Sequence, residues 1–134
     1  MTAAERTRLH TNPDGGTVAV PKTCKIGRDV EIGLGVEIGR DVTVGDFTEI
    51  GPDVEIGEGA EIGPDVTVGD FTEIGPDVEI GEGAKIGSFV EIQDGVIVGK
   101  YSAIGDGANI KCDVQPGAVV PRDSLHHAAE PSPC

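Results

Sequence analysis

The chain has 134 residues, 24 of them acidic and 10 basic, for a formal net charge of -14. That length fits one domain, and that charge excludes nucleic-acid backbone and anionic membrane faces as partners, since both need clustered cations. With three Phe, one Tyr and no Trp, a core has to be built from Ile, Val and Ala, and no apolar run reaches the roughly 20 residues of a membrane span.

Residues 1–17 are polar and lack the apolar run of a secretory signal. They carry a turn signal at Asn12-Pro13-Asp14-Gly15-Gly16 and are expected to form a partly flexible N-terminal cap. Residues 18–120 follow a six-residue beat. After Val20 it runs through Ile26, Ile32, Ile38, Val44, Ile50, Ile56, Ile62, Val68, Ile74, Ile80, Ile86, Ile92, Val98, Ile104 and Ile110 without a slip. From Ile26 onward the next residue is Gly, except at Gln93 and Lys111. Four residues after each aliphatic comes a small or branched residue, as at Val30, Val36, Thr48, Ala60 and Val114. A fixed short period of this kind specifies a solenoid.

Within a hexad the apolar residues lie at spacing two, as in Val54-Glu55-Ile56, which is strand geometry: the outer pair faces in and the middle residue faces out. The aliphatics from Ile26 to Ile110 are therefore the expected core ladder. Corners follow at sequences such as Gly51-Pro52-Asp53 and Gly57-Glu58-Gly59, where Gly is expected to supply positive φ and Pro its fixed φ. Residues 121–134 form a C-terminal cap and tail. Asp123 to Glu130 carries the signal of a short helix, with Asp123 or Ser124 as N-cap.

The aliphatic-Gly-x-x-small-x beat resembles the hexapeptide-repeat superfamily, whose members include bacterial acyltransferases and γ-class carbonic anhydrases. The closing segment Ile104-Gly105-Asp106-Gly107-Ala108-Asn109-Ile110, with Asp113 to Val120, is similar to the last coil of many of its acyltransferases. The resemblance implies an all-β fold, a left-handed parallel β-helix of triangular section. Each coil would take three hexads, giving about five coils. It also implies a homotrimer.

A second period overlies the first. Residues 37–63 and 61–87 match except at Arg40 against Pro64 and Glu61 against Lys85. Read every eighteen residues, the outward positions give three columns. One is Glu31, Glu49, Thr67, Lys85, Ala103. Another is Thr43, Glu61, Glu79, Ile97, Gln115. The third, Glu37, Glu55, Glu73, Glu91 and Asn109, is a ladder of carboxylates about 5 Å apart if coils stack at strand spacing. Carboxylate oxygens suit hard cations, so this column is a weak cation candidate; its plainer reading is a solvated face. Phe71 and Phe89 are expected to stack at one corner, as a local staple or as part of an interface. The column with Ile97 is the better contact face between copies.

Chemistry is sparse. The superfamily's acyltransferases use a His base and its carbonic anhydrases three His ligands. Here His10, His126 and His127 all lie in terminal segments, so no catalytic residue, metal site or cofactor is assigned. Cys24, Cys112 and Cys134 have no metal-ligand spacing; read as thiols, they favour a cytoplasmic setting. Thr48 and Thr72 point inward, which removes an ice-binding threonine row. The expected function is a non-catalytic structural or scaffolding solenoid, idealised or recently duplicated. The alternatives are a small trimeric acyltransferase-like protein and an acidic rod that binds a basic partner or cations.

Overall fold

The computed structural model describes residues 7–126. Strand β1 (Thr7–Thr11) and strand β2 (Thr17–Pro21) pair as an antiparallel hairpin. Its turn is closed by Asn12 N–H donating to Gly16 O at 2.7 Å and Gly15 N–H to Asn12 O at 2.9 Å. Gly15 sits at φ 96, where a side chain would be strained.

From Lys25 to Ile110 every hexad is one two-residue strand and one corner. Strands on one face pair in parallel with a register of eighteen residues, as in Glu31↔Glu49, Thr43↔Glu61 and Glu37↔Glu55. Three parallel sheets of six, six and five strands result, a β-solenoid of about five turns consistent with the left-handed β-helix. Consecutive strands occupy consecutive faces. The acidic face carries Glu37, Glu55, Glu73 and Glu91 outward. The isoleucine face carries Lys25, Thr43, Glu61, Glu79 and Ile97. The lysine face carries Glu31, Glu49, Thr67, Lys85 and Ala103.

The core is the expected ladder. Ile32, Ile62, Ile110, Val44 and Val98 are fully buried, together with the four-residue partners Val30, Val42, Val54, Val66, Val78 and Val90. Each such side chain contributes roughly 1.5–3 kcal/mol on transfer from water. The exceptions are Ile26 and Ile38, only half-buried in the first coil, where no earlier coil covers them. Thr48 and Thr72 do point inward: their hydroxyls donate to Gly63 O at 2.8 Å and Gly87 O at 2.7 Å, so neither leaves a polar group stranded in the core.

The C-terminal end departs from two expectations. Val114 bridges Val98, sixteen residues back rather than eighteen, and Val119–Val120 pairs with Ala103–Ile104 at the same shortened offset. Two residues are thus missing from the corner at Lys111–Asp113, because the regular hexad would put Pro116 in the ladder, where it has no N–H to donate. Gln115 accordingly leaves the column that ends at Ile97. Asp113 takes its place, its Oδ1 accepting from Ile97 N–H at 2.9 Å. The expected C-terminal helix does not start either. Asp123 has φ 55, Ser124 Oγ–H turns back to Pro121 O at 2.6 Å, and Leu125–His126 forms a strand beside Asn109–Ile110. Residues 127–130 of the helix signal lie outside the described residues. The ladder wins over the capping signal because Val114, Val120 and His126 resume the six-residue beat.

Candidate functional site

The corners set what the faces can display. The third corner residue is left-handed throughout: Asp29, Asp41, Asp53, Asp65 and Asp77 have φ between 54 and 61, and Gly35, Gly59 and Gly83 between 70 and 76. Asp tolerates this region better than most side chains because it bonds locally. Four aromatics also occupy it, Phe47 (φ 63), Phe71 (57), Phe89 (60) and Tyr101 (60), which sequence spacing did not reveal. Phe71 and Phe89 stack with centroids 5.3 Å apart and planes 9° apart, as expected. The Tyr101 ring covers Gly83, where an added Cβ would meet its Cδ1 at 2.6 Å.

The Glu column is realised in register, Glu37↔Glu55↔Glu73↔Glu91↔Asn109. It flanks a shallow groove of about 540 Å³ that runs along the acidic face to Gln93 and Asp94. The carboxylates form a line and not a cage: among the described residues, no three His, Cys, Asp or Glu side chains converge as metal ligands would. A second groove, about 630 Å³, lies over the isoleucine face between Thr43 and Pro116, bordered by Pro64, Ile97, Glu82 and Lys100. A third, about 350 Å³, lies at the C-terminal end of the lysine face, with Lys85 and Arg122 on its rim and no carboxylate in its lining.

The histidines do not meet a cluster. His10 Nε2 lies 2.7 Å from Val30 O, a contact in which the ring N–H donates, because a carbonyl can only accept. His126 belongs to the last strand, beside Ile110, and His127 lies outside the described residues. Cys24 is buried in the core, its thiol donating to Gly39 O at 3.2 Å. Cys112 is disulfide-bonded. That corrects its reading as a thiol and removes the argument from thiols to a cytoplasmic setting. No helix among the described residues is long and apolar enough to cross a membrane.

The family described as bacterial transferase hexapeptide (six repeats) matches residues 35–70, 59–94 and 77–112, which together cover more than half of the chain. No curated protein matches. Among solved structures, the chain is similar to the H141N mutant of perosamine N-acetyltransferase from Caulobacter crescentus in complex with CoA and GDP-perosamine. That match has a TM-score of 0.74 and 22% identity, over 75% of this chain and 48% of that one. It is also similar to the hexapeptide-repeat acetyltransferase VCA0836 from Vibrio cholerae complexed with acetyl coenzyme A. There the TM-score is 0.65 and the identity 22%, over 71% and 64%. The acetyltransferase domain of PglB from Neisseria gonorrhoeae, also with acetyl coenzyme A, has a TM-score of 0.66 and 19% identity, over 78% and 54%. The chain thus spans between about half and two thirds of the length of these structures.

Proposed function

Because this chain belongs to the bacterial transferase hexapeptide family, we propose that it is an acyltransferase-type solenoid, which binds an acyl-CoA thioester in a cleft between copies of itself. The family match over more than half of the chain carries this reading. The similar structures that hold CoA or acetyl coenzyme A support it. The groove of about 630 Å³ over the isoleucine face offers the space, with apolar walls at Pro64 and Ile97 and a cation at Lys100. Titration calorimetry with acetyl-CoA and light scattering of the full chain test it together. Binding by an oligomer is expected. A monomer that gives no heat with millimolar acetyl-CoA would remove the reading.

A non-catalytic solenoid is the second reading, and one observation favours it. The near-identical units 37–63 and 61–87 repeat every 24 residues against a coil of eighteen. They place each repeated side chain on two different faces instead of gathering unlike groups at one point. Such a protein would associate normally and leave acetyl-CoA untouched.

A further inference from the structure

We infer that the isoleucine face of one copy and the lysine face of a second, parallel copy are complementary surfaces, through which the chain closes into a ring. The inference rests on the self-association in the reading above and adds which surfaces meet.

A closed ring allows no translation along its axis, so when the solenoids lie parallel, residues at equal height face each other. Consecutive strands climb one third of a coil, about 1.6 Å for a coil spacing near 4.8 Å. The outward residue of each strand on the isoleucine face therefore meets the outward residue of the next strand, on the lysine face of the neighbour. The resulting pairs are Lys25 with Glu31, Thr43 with Glu49, Glu61 with Thr67, Glu79 with Lys85, Ile97 with Ala103, and Asp113 with Val119. Two pairs have opposite charge, one is apolar, and none sets like charges together. The other two choices of neighbouring faces fail. The acidic face against the isoleucine face sets Glu55 against Glu61 and Glu73 against Glu79. The lysine face against the acidic face sets Glu31 against Glu37 and Glu49 against Glu55. Like charges so placed suppress an interface.

Three further observations agree. Lys85 is one of only two differences between the duplicated units, standing where the earlier copy has Glu61, and it supplies the cation opposite Glu79. Among the described residues the Lys85 ammonium makes no ion pair within its own chain. The corner shared by the two faces carries Phe47 and Tyr101, 52% and 61% exposed, and Ile97 on the isoleucine face is 46% exposed. That is apolar surface which a neighbour would cover. The acidic face is left toward solvent.

Light scattering at about 0.1 M NaCl on the full chain tests the pairing, with Lys85→Glu, Glu79→Lys, the double swap, and Glu73→Lys on the acidic face as control. All these side chains are exposed, so circular dichroism should report an unchanged fold. Each single swap is expected to weaken association by at least about tenfold, the double swap to restore it, and Glu73→Lys to leave the mass unchanged. A monomeric parent, an oligomer indifferent to the single swaps, or a double swap no better than either single would overturn the inference. Acetyl-CoA titration of the same samples separates the two ideas. An oligomer that follows the swaps but ignores acetyl-CoA keeps the interface and loses the thioester, and the converse result does the reverse.

Discussion

The glycine after each ladder aliphatic serves a different purpose from the one its turn position suggests. Gly51 and Gly57 are not left-handed; that conformation falls on Asp53 and Gly59 two residues later. What these glycines allow is the close approach of the next coil. At Gly69 an added Cβ would meet Ser88 N at 2.6 Å and Gly87 C at 2.7 Å, both backbone atoms that cannot step aside. Gln93, one of the two exceptions, faces the corner from which two residues are missing, and at the neighbouring Gly95, φ 72, no atom lies within 4 Å of an added Cβ. Two substitutions separate steric from conformational cost. Gly69→Ala is expected to lower stability by about 3 kcal/mol, since it forces coils apart. Gly95→Ala should lower it by only about 1 kcal/mol, the cost of a left-handed alanine. Urea unfolding of the two variants checks the order; equal losses would mean that coil spacing is not what the first glycine protects.

At the scale of elements, the hairpin of β1 and β2 shows how an open sheet edge is closed without another coil. The strand Glu31–Ile32 ends its sheet, and the Asn12 side chain takes the place of a missing neighbour. Its Oδ1 accepts from Ile32 N–H at 2.8 Å and its Nδ2 donates to Ile32 O at 2.9 Å, while His10 reaches Val30 O. Unpaired edges of this kind template association. Asn12→Leu is expected to cost about 1–3 kcal/mol, from two hydrogen bonds at about 0.5–1.5 each, and to speed amide exchange at Ile32. Asn12→Asp keeps the acceptor, so it should protect Ile32 N–H better than leucine does. An Ile32 amide equally protected in all three proteins would show that the hairpin backbone, and not Asn12, closes the edge. None of this was legible beforehand, because a side chain that imitates a strand leaves no periodic trace. The ladder was legible because each aliphatic repeats one environment. Legibility ended at Lys111–Asp113, where one shortened corner displaces Gln115, and at Ser124, whose capping signal is local while the pairing of Leu125–His126 with Asn109–Ile110 is not.

For the whole molecule, charge decides more than packing does. Every face is apolar inside, so the faces differ only in what they show to water, and a net charge of -14 is distributed unequally among them. The acidic face stacks Glu37, Glu55, Glu73 and Glu91 in register, about 4.8 Å apart. At 0.01 M ionic strength the screening length is about 30 Å, so the whole column repels itself; at 1 M it is about 3 Å, less than one rung. Stability against urea, an uncharged denaturant, should therefore rise as NaCl is raised between these limits. Glu73→Gln removes one of the two charges, with that of Glu55, that have a like neighbour on each side. It is expected to raise the unfolding free energy measured in urea at low salt by roughly a few tenths of a kcal/mol and to flatten the salt dependence, because less repulsion is left to screen. Salt acting on a general excess of charge would instead stabilise parent and variant alike. The comparison of slopes thus decides whether the column acts as a unit or as four independent side chains. A flatter slope in Glu73→Gln would also explain why the acidic face is the one that a ring of copies leaves in water, where ions reach it.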